Sequence, residues 1–306
     1  MELGEAIAAR ECAGLVDGVR RLAAGRISAL AAQLDGTIDT VTLVPGKMLR
    51  TRFAAAVQPP LSAVQPPLGR EGDWSVLEIA CAATELVHTA SLCHDDVIDN
   101  ALMRRAGPTL WRTTSASGAV LIGDLLLCEA TGLLLELEGG AYVRAFVSKV
   151  REMCAAEARQ ELTRGREKPP EAECLRLARA KTGALFAFLG RVCGGEEETL
   201  RSALEEAGYR VGTAYQLADD LLDVFGSEEV AAKTLGTDAR RRKFTLASAA
   251  DERVVRGHIT RLCGSALERL GPWPWARSGL ERFFTVDLRP VFERFGGGLD
   301  QCLGVQ

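Results

Sequence analysis

Three aspartates close an apolar stretch of the sequence, and their spacing points to chemistry. The segment LCHDDVIDNALMRR (92–105) carries Asp95, Asp96 and Asp99. On a helix with 3.6 residues per turn, Asp95 and Asp99 lie one above the other and Asp96 lies beside them. Two carboxylates about 5 Å apart repel each other by roughly 3 kcal/mol at an effective dielectric constant of about 20. A bound cation is expected to offset this repulsion.

The same arrangement occurs again more than a hundred residues later in the chain. The segment YQLADDLLDVFG places Asp219, Asp220 and Asp223 at the same relative positions, again after a long apolar run. One such cluster is typical of a solvated helix end, whereas two copies are hard to explain in that way. Mg²⁺ prefers one or two carboxylates together with substrate phosphates and waters. Two facing clusters would therefore hold several Mg²⁺ ions around a diphosphate.

Basic residues near these elements predict a pocket for a polyanion. Arg104 and Arg105 follow the first cluster, and forked guanidinium groups suit phosphate oxygens. Lys181 lies inside an otherwise apolar helix. Pro45 and Gly46 indicate a helix start whose free amides would also favour an anion. The remaining cations are Lys47, Arg50 and Arg52 in PGKMLRTRF, and Lys233 and Lys243 around the loop after the second cluster.

The elements that must position these residues are almost all helical. Ala, Leu, Glu and Arg dominate, apolar residues recur every three or four positions, and no stretch alternates as a strand would. Gly and Pro separate the helices. Long helices are predicted over 73–100, 117–137, 140–164, 172–192 and 197–225, and shorter ones over 3–33, 45–57, 244–269 and 275–294. The sequence therefore predicts an all-α, single-domain bundle over residues 1–306.

Composition excludes several classes of function. The 306 residues are 47% hydrophobic with a formal charge of −4, which suits a sizeable core but not a nucleic-acid partner. Nine cysteines without a CxxC pair indicate buried thiols in a reducing compartment. The N-terminus lacks a signal-peptide pattern, and Asp124, Glu129 and Glu136 interrupt the longest apolar region. We therefore expect a cytoplasmic protein without a membrane span.

Taken in order, the motifs resemble those of the trans-type polyprenyl diphosphate synthases, also called polyprenyl synthetases. The resemblance extends from about Gly46 to about Leu246. Its motifs are GKMLR, HTASLCHDDVIDNALMRR, GDLLL, KTG, YQLADDLLD and KTLGTDARRRKFTL. The chain departs from the family at Arg242 and Ala247, where Gly and Pro are usual, and PGK replaces GGK.

The resemblance implies a fold of the isoprenoid synthase type, a bundle of long helices around a central cavity, in a homodimeric enzyme. It implies Mg²⁺-dependent condensation of isopentenyl diphosphate with an allylic diphosphate, releasing pyrophosphate and making a trans-polyprenyl diphosphate. Three Mg²⁺ ions per active site would draw charge onto the allylic diphosphate until it leaves. Isopentenyl diphosphate then attacks the allylic cation, and the pyrophosphate takes the proton that is lost.

Site residues follow from the matching motifs. The implied Mg²⁺ ligands are Asp95, Asp96, Asp99, Asp219, Asp220 and Asp223. The residues implied for the allylic diphosphate are Arg104, Lys181 and Lys233, and those for isopentenyl diphosphate are Lys47, Arg50, His88 and Arg105. Gln216 and Lys243 are secondary members, and Thr182 would stabilise the reacting cation. His94 adjoins the aspartates but points elsewhere on the helix, so it is not included.

Product length is read from the helix before the first cluster. Ala90 and Ser91 precede Asp95 by five and four residues, which is about 6 to 7.5 Å along the helix axis. In the family, bulky aromatic residues there close the product tunnel early. Val87, Thr84 and Ala83, deeper on the helix, are also small, so another helix must supply the floor. A product of twenty carbons (geranylgeranyl) or longer, such as a quinone side chain, is therefore favoured.

Several alternatives remain open. The nearest is a farnesyl diphosphate synthase. A class I terpene cyclase is also all-α, but its second metal motif is normally an Asn/Ser/Glu arrangement. A non-catalytic subunit of a heteromeric prenyl synthase typically loses one aspartate cluster, and this chain has both. A plain helical scaffold would leave the paired clusters without a purpose.

Overall fold

The computed structural model describes residues 2–38, 40–59, 75–104, 107–165, 167–225 and 244–294, together with 301 and 303. Nearly all of these residues are helical, which confirms the predicted all-α class. The chain divides into two compact units, Met1–Ala55 with Pro60–Ala145 and Ala56–Pro59 with Phe146–Gln306. The single domain and its central cavity stay predictions.

The elements up to residue 135 carry the first aspartate cluster. They are α1 (Glu2–Gln33), a 3₁₀-helix (Thr40–Leu43), α2 (Leu49–Val57), α3 (Val76–Ile98), β1 (Met103–Arg104), β2 (Gly107–Pro108), α4 (Leu110–Thr113) and α5 (Ala116–Leu135). The two short strands pair antiparallel, with Arg104 opposite Gly107. The expectation that the chain has no strand is therefore wrong at this one hairpin, which is too short to show an alternating pattern.

The elements after residue 140 carry the second cluster. They are α6 (Ala141–Leu162), α7 (Glu171–Ala178), a π-helix (Arg179–Gly183), α8 (Ala184–Cys193), α9 (Glu198–Phe225), α10 (Leu246–Ala249), α11 (Glu252–Arg269), α12 (Pro274–Phe283), a second π-helix (Phe284–Leu288) and α13 (Arg289–Arg294). π-Helices are rare, occur mostly as single turns inside α-helices and often lie at functional sites.

Four predicted helices differ from the observed ones. The helices over 172–192 and 275–294 are each interrupted by a π-helix. The helix over 244–269 is broken at Ala250, whose backbone is extended. The helix over 45–57 begins only at Leu49, because Met48 has a φ of +52° and cannot continue a right-handed helix. Pro45 and Gly46 are therefore not a helix start. The helix predicted over 3–33 is one of the long ones, with 32 residues.

Close contact between α3 and α5 builds the core of the first unit. A capping box of Ser75 and Glu78 begins α3, each side chain accepting a hydrogen bond from the other residue's backbone N–H. Four consecutive small residues, Ala80, Cys81, Ala82 and Ala83, have no solvent exposure. Such small side chains allow neighbouring backbones to approach closely. This packing fixes the direction of α3 and so the position of the aspartates at its C-terminal end.

Close contact between α8 and α9 builds the core of the second unit. A Cβ atom added at Gly208 of α9 would lie only 2.5 Å from the carbonyl oxygen of Phe186 in α8. A Cβ atom at Gly190 would overlap the backbone of Leu204. Phe146 and Phe188 pack edge to face, with ring centroids 5.2 Å apart. These contacts hold α9 in place, and the second aspartate cluster lies at its C-terminal end.

Within the part of the chain that the structure describes, two helices, α3 and α5, are long and apolar enough to cross a membrane by length and composition alone. Core helices of other proteins meet the same criterion, and two thirds of the apolar window of α3 is buried inside the fold. The absence of a membrane span stays a prediction. No disulfide is recorded for the eight cysteines that the structure describes.

Candidate functional site

The first cluster lies at the C-terminal end of α3. Asp95 and Asp96 are in its last turn, and Asp99 is its C-cap, with its N–H bonded to the carbonyl oxygen of Asp95 at 2.7 Å. A helix C-terminus carries partial negative charge, so carboxylates there are unfavourable unless a cation is present. The last turn of α3 contains no basic residue. Its counter-charge must come from outside the helix.

Arg104 supplies part of that charge. Its Nε lies 2.9 Å from Oδ1 of Asp96, and its NH2 nitrogen lies 2.7 Å from the same oxygen. Asp96 is only 4% exposed, so this pair is far less screened by solvent than a surface salt bridge. The structure therefore brings two predicted site residues together, with the guanidinium in direct contact with one of the predicted metal ligands.

The β1–β2 hairpin holds Arg104 beneath the helix end. The carbonyl oxygen of Ala101 accepts hydrogen bonds from Thr109 Oγ1 and Trp111 Nε1, both at 2.8 Å. Thr109 and Trp111 follow the hairpin, so these bonds tie its far end back to the residues that leave α3. Trp111 and Thr109 were not predicted as site residues, and no local pattern marks them.

Charge and burial also act on Cys93, two residues before the cluster. Burial raises the pKa of its thiol to about 12, and the negative charge of Asp96 adds to the effect. The thiol is therefore neutral at physiological pH. Because thiolates are the reactive form of cysteine, this raised pKa lowers the reactivity expected of Cys93.

A buried glutamate, Glu85, joins α3 to α2. It is 2% exposed and accepts a hydrogen bond from the hydroxyl of Thr51 at 2.9 Å. Arg50 is adjacent to Thr51, and His88 lies three residues after Glu85, so this bond joins the two helices that carry these predicted isopentenyl diphosphate ligands. A single acidic residue inside the apolar run CAATELVH was the signal that sequence reasoning missed.

Lys47 lies just before α2, exposed, and its carbonyl oxygen accepts a hydrogen bond from Arg52 Nε at 3.1 Å. His88 and Arg50 are half-buried. The residues predicted to set product length, Val87 and Ala90, are buried, and Ser91 donates a hydrogen bond to the carbonyl oxygen of His88 at 2.8 Å. The product tunnel past them stays a prediction.

His94, which was left out of the predicted site, fixes the end of α3 to α5. Its Nε2 lies 3.1 Å from the carbonyl oxygen of Val120 and 3.3 Å from Oδ1 of Asp124. A Cβ atom at Gly123 would overlap the imidazole ring. The GDLLL motif therefore has a local physical reason: Gly123 leaves room for the ring, and Asp124 lies beside it.

The second cluster lies in the last two turns of α9. Asp220 and Asp223 are buried and Asp219 is half-buried. Asp220 Oδ1 accepts a hydrogen bond from Gln216 Nε2 at 2.8 Å, and the hydroxyl of Thr182 donates to the Gln216 side-chain oxygen. Thr182, Gln216 and Asp220 therefore form one chain of hydrogen bonds, which brings three predicted site residues together.

Lys181 reaches the same region from the π-helix. Its Nζ lies 2.5 Å from a carboxylate oxygen of Glu157 on α6, a residue that sequence reasoning did not include. Lys181, Gln216 and Asp220 line one cavity of about 40 Å³. The other lining residues are Ala156, Gln160, Cys174, Leu177, Ala178, Phe244 and Thr245. That volume suits ordered water and not a prenyl chain, which needs a ligand-sized pocket of at least about 300 Å³.

Several predicted features fall outside these observations. Arg105, Lys233 and Lys243 lie outside the described residues, as does Arg242. Among the residues that the structure describes, no three His, Cys, Asp or Glu side chains converge into a group that could hold a metal ion. The first cluster belongs to one unit and the second cluster to the other. That the six carboxylates face each other stays a prediction.

Comparisons with known proteins identify the class. A sequence profile of the polyprenyl synthetases matches residues 31–252. A (2E,6E)-farnesyl diphosphate synthase of Mycobacterium tuberculosis (strain ATCC 25618 / H37Rv) is 33% identical over 261 residues, which cover 83% of this chain and 70% of that relative. A geranylgeranyl diphosphate synthase of the same strain is 35% identical over 182 residues, which cover 57% of this chain and 52% of that relative.

The fold agrees. A crystal structure of a geranyltransferase from Helicobacter pylori, complexed with magnesium and isoprenyl diphosphate, superposes with a TM-score of 0.67 at 21% identity, covering 90% of this chain and 98% of that one. The chain belongs to the polyprenyl synthetase family. The predicted family, the all-α fold and the enzyme class, a trans-prenyltransferase, are confirmed.

Proposed function

We propose that the protein condenses isopentenyl diphosphate with an allylic diphosphate to make a trans-polyprenyl diphosphate. The observation that carries this proposal is that two helices end in DDxxD carboxylates and that each cluster has a cation beside it. Arg104 contacts Asp96 in the first cluster, and Lys181 lines the cavity that Asp220 lines in the second. The curated relatives named above are farnesyl and geranylgeranyl diphosphate synthases.

Magnesium is the proposed cofactor, with three ions per active site. The donor set fits, because Mg²⁺ takes one or two carboxylates and completes its shell with phosphates and waters, and so does not need three converging protein ligands. The proposed ligands are Asp95, Asp96, Asp99, Asp219, Asp220 and Asp223. When bound, Mg²⁺ supplies electrophilic assistance to the departure of pyrophosphate.

The cationic side chains would bind the substrates. Arg104 and Lys181 would form charge-assisted hydrogen bonds to the allylic diphosphate, in place of their present contacts with Asp96 and Glu157. The allylic C–O bond breaks with its electron pair on the leaving pyrophosphate, the alkene of isopentenyl diphosphate forms the new C–C bond, and pyrophosphate takes the lost proton. The oxygen atoms of Thr182 and Gln216 would stabilise the allylic cation. Lys233 would join Arg104 and Lys181 as a ligand of the allylic diphosphate. Isopentenyl diphosphate would be held by Lys47, Arg50, His88 and Arg105, with Lys243 as a secondary substrate ligand.

The proposed product has twenty carbons or more. The supporting feature is that Ala90 and Ser91, on the helix that leads to the first cluster, are small and leave no bulky side chain to close a tunnel. The rival is farnesyl diphosphate, the fifteen-carbon product named for the relative that aligns with 83% of this chain. Product chromatography distinguishes the two.

The protein is further proposed to be a homodimer in the cytoplasm. One face of α5 is apolar and exposed: Leu121 is 61% and Leu135 is 65% exposed, with Cys128 exposed between them. A second copy of the chain packed on this face would bury it, as a two-fold interface does. Sedimentation of the wild-type protein and of a Leu121→Lys variant tests this, since a dimer through α5 would be weakened by the charge. A reducing compartment suits cysteines for which no disulfide is recorded.

The test of the reaction is incubation with Mg²⁺, isopentenyl diphosphate and dimethylallyl, geranyl or farnesyl diphosphate, followed by chromatography of the products. Lys181→Met is expected to lower kcat by about 10²- to 10³-fold, the usual loss when a group that stabilises developing charge is removed. Lys168→Met, at an exposed lysine before α7, is the control and should elongate normally. Absence of elongation by the wild-type protein from every primer would contradict the proposal.

A further inference from the structure

The π-helix that carries Lys181 and Thr182 contacts the same residue of α9, Tyr209, at both of its ends. At the first end, the guanidinium carbon of Arg179 lies 3.6 Å from the centroid of the Tyr209 ring. At the last end, a Cβ atom on Gly183 would lie 2.9 Å from the carbonyl oxygen of Tyr209 and 3.2 Å from its ring. Only a glycine permits this approach without displacement of α9.

Tyr209 is also held by hydrogen bonds between its hydroxyl and two residues of α6. Its hydroxyl donates a hydrogen bond to Glu152 at 2.5 Å and accepts one from Lys149 Nζ at 2.8 Å, and both of these residues are on α6. The residue is 7% exposed. Burial raises the pKa of Tyr209, and the hydrogen bond to Glu152 raises it further, so the hydroxyl stays protonated. The ring is therefore a fixed surface on which Arg179 rests.

Arg179 also forms an ion pair that it shares with a second arginine. Its NH2 nitrogen lies 2.7 Å from one oxygen of Glu206, whose other oxygen lies 3.0 Å from Nε of Arg210. The NH1 nitrogen of Arg210 also donates a hydrogen bond to the carbonyl oxygen of Ser265 on α11, at 2.6 Å. The two arginines thus have the same carboxylate partner, but only Arg179 belongs to the π-helix and contacts the Tyr209 ring.

We propose that Tyr209 and Arg179 are positioning residues that hold the π-helix in register, so that Lys181 and Thr182 reach the allylic diphosphate side of the site. This rests on the proposed function. A π-turn is intrinsically unfavourable relative to an α-turn and persists where surrounding contacts select it. The contacts at residues 179 and 183 would do so here, and neither residue is among the proposed substrate ligands.

Amide hydrogen exchange of the unliganded protein gives a readout that does not depend on activity. Arg179→Gln should speed exchange in the peptide that spans residues 179–183 by between about 2-fold and 30-fold, the range to which a partly buried cation–π contact corresponds. Arg210→Gln, which removes the matched ion pair with Glu206, should leave exchange in this peptide unchanged. Equal exchange in the two variants would overturn the proposal.

Kinetics provide the second readout. Arg179→Gln should raise the KM for the allylic diphosphate and lower kcat, with the KM for isopentenyl diphosphate unchanged, whereas Arg210→Gln should change none of the three. Tyr209→Phe keeps the ring against Arg179 and should exchange more slowly in the 179–183 peptide than Tyr209→Leu, which removes the ring. A wild-type protein that elongates nothing refutes the proposed function, while matching behaviour of the two arginine variants refutes only this positioning role.

Discussion

The guanidinium of Arg104 contacts the carboxylate of Asp96 through Nε and NH2, at 2.9 and 2.7 Å, beside the last turn of α3, which contains no basic residue of its own. This pair neutralises the most buried carboxylate of the first cluster. A metal and a diphosphate would provide a new partner for each member: the ion for Asp96, and the phosphate oxygens for Arg104.

This exchange predicts the behaviour of Arg104→Gln. Its loss leaves Asp96 buried without its counter-ion, which should lower the free energy of unfolding by about 1–3 kcal/mol. Thermal unfolding should show that Mg²⁺ with inorganic pyrophosphate recovers most of this loss. Arg112→Gln, at an exposed arginine of α4, is the control. It should unfold with the wild-type free energy, both with and without Mg²⁺ and pyrophosphate. An Arg104→Gln protein as stable as the wild type without metal would contradict the prediction.

Gly123→Ala should destabilise the first unit. The added Cβ atom would overlap the His94 ring, and forcing a methyl group into such a site typically costs about 1–3 kcal/mol. Gly132→Ala, on the same helix with nothing within 4 Å, should be neutral or stabilising by up to about 1 kcal/mol. Chemical denaturation measures both.

A double-mutant cycle tests the cause of that loss. If the overlap with His94 is responsible, His94→Ala combined with Gly123→Ala should cost less than the sum of the two single changes. Additive losses would show that the ring and the glycine are independent.

Stability should fall in alkaline solution because of Cys193. Burial raises the pKa of this thiol from 9.0 to about 12. The folded state therefore keeps a proton that the unfolded state has released, so the contribution is fully present below pH 9 and is lost as the pH rises towards 12. The loss is up to about 4 kcal/mol, since one pKa unit corresponds to about 1.4 kcal/mol.

Urea denaturation between pH 8 and pH 11 measures this slope, which covers most of the interval between the two pKa values. In Cys193→Ala the free energy of unfolding should decline less steeply with pH than in the wild type. It should also be lower by a constant amount at every pH, because side-chain volume is lost from the core. Cys128→Ala, at an exposed cysteine, should leave the slope as it is. Identical slopes in all three proteins would remove Cys193 as the cause.

Ala90→Phe should shorten the product. Position 90 lies about 7.5 Å along α3 from Asp95, at 1.5 Å per residue, and an aromatic ring there would close a tunnel that passes it. Liquid chromatography of the dephosphorylated products gives the chain length. Ser91→Ala, a change of similar location without added bulk, should keep the wild-type length. An active Ala90→Phe enzyme with an unchanged product would place the tunnel elsewhere.

The sequence predicted what depends on local pattern. The helices over 73–100, 117–137 and 197–225 were found with their ends shifted by at most three residues, because apolar periodicity and Gly or Pro punctuation are written within each segment. The positions of the two aspartate clusters on their helices followed from the same spacing. Thr182, Gln216 and Asp220 were named from motifs, and the structure brings their side chains into one hydrogen-bonded chain.

The sequence could not predict what depends on contacts between distant segments. Nothing in ARAKTG distinguishes a π-helix from an α-helix, since the selection is made by Tyr209, some thirty residues away in the chain. Glu157 as the partner of Lys181, and Glu85 as the partner of Thr51, are likewise visible only once helices are packed. His94 was set aside on helical position alone, although its partner Gly123 lies on another helix.

The wider turn at residues 179–183 contains one residue more than an α-helical turn would. If the same residues ran through as an ordinary α-helix, everything on the far side would be rotated by about 100° about the axis, one residue's share of a 3.6-residue turn. Deleting one residue together with this change would bring α7 and α8 back to nearly their present phase. The wider turn thus acts as a phase adjuster between α7 and α8, and an enzyme whose turn relaxed to an α-turn could remain folded while pointing Lys181 at the wrong neighbour.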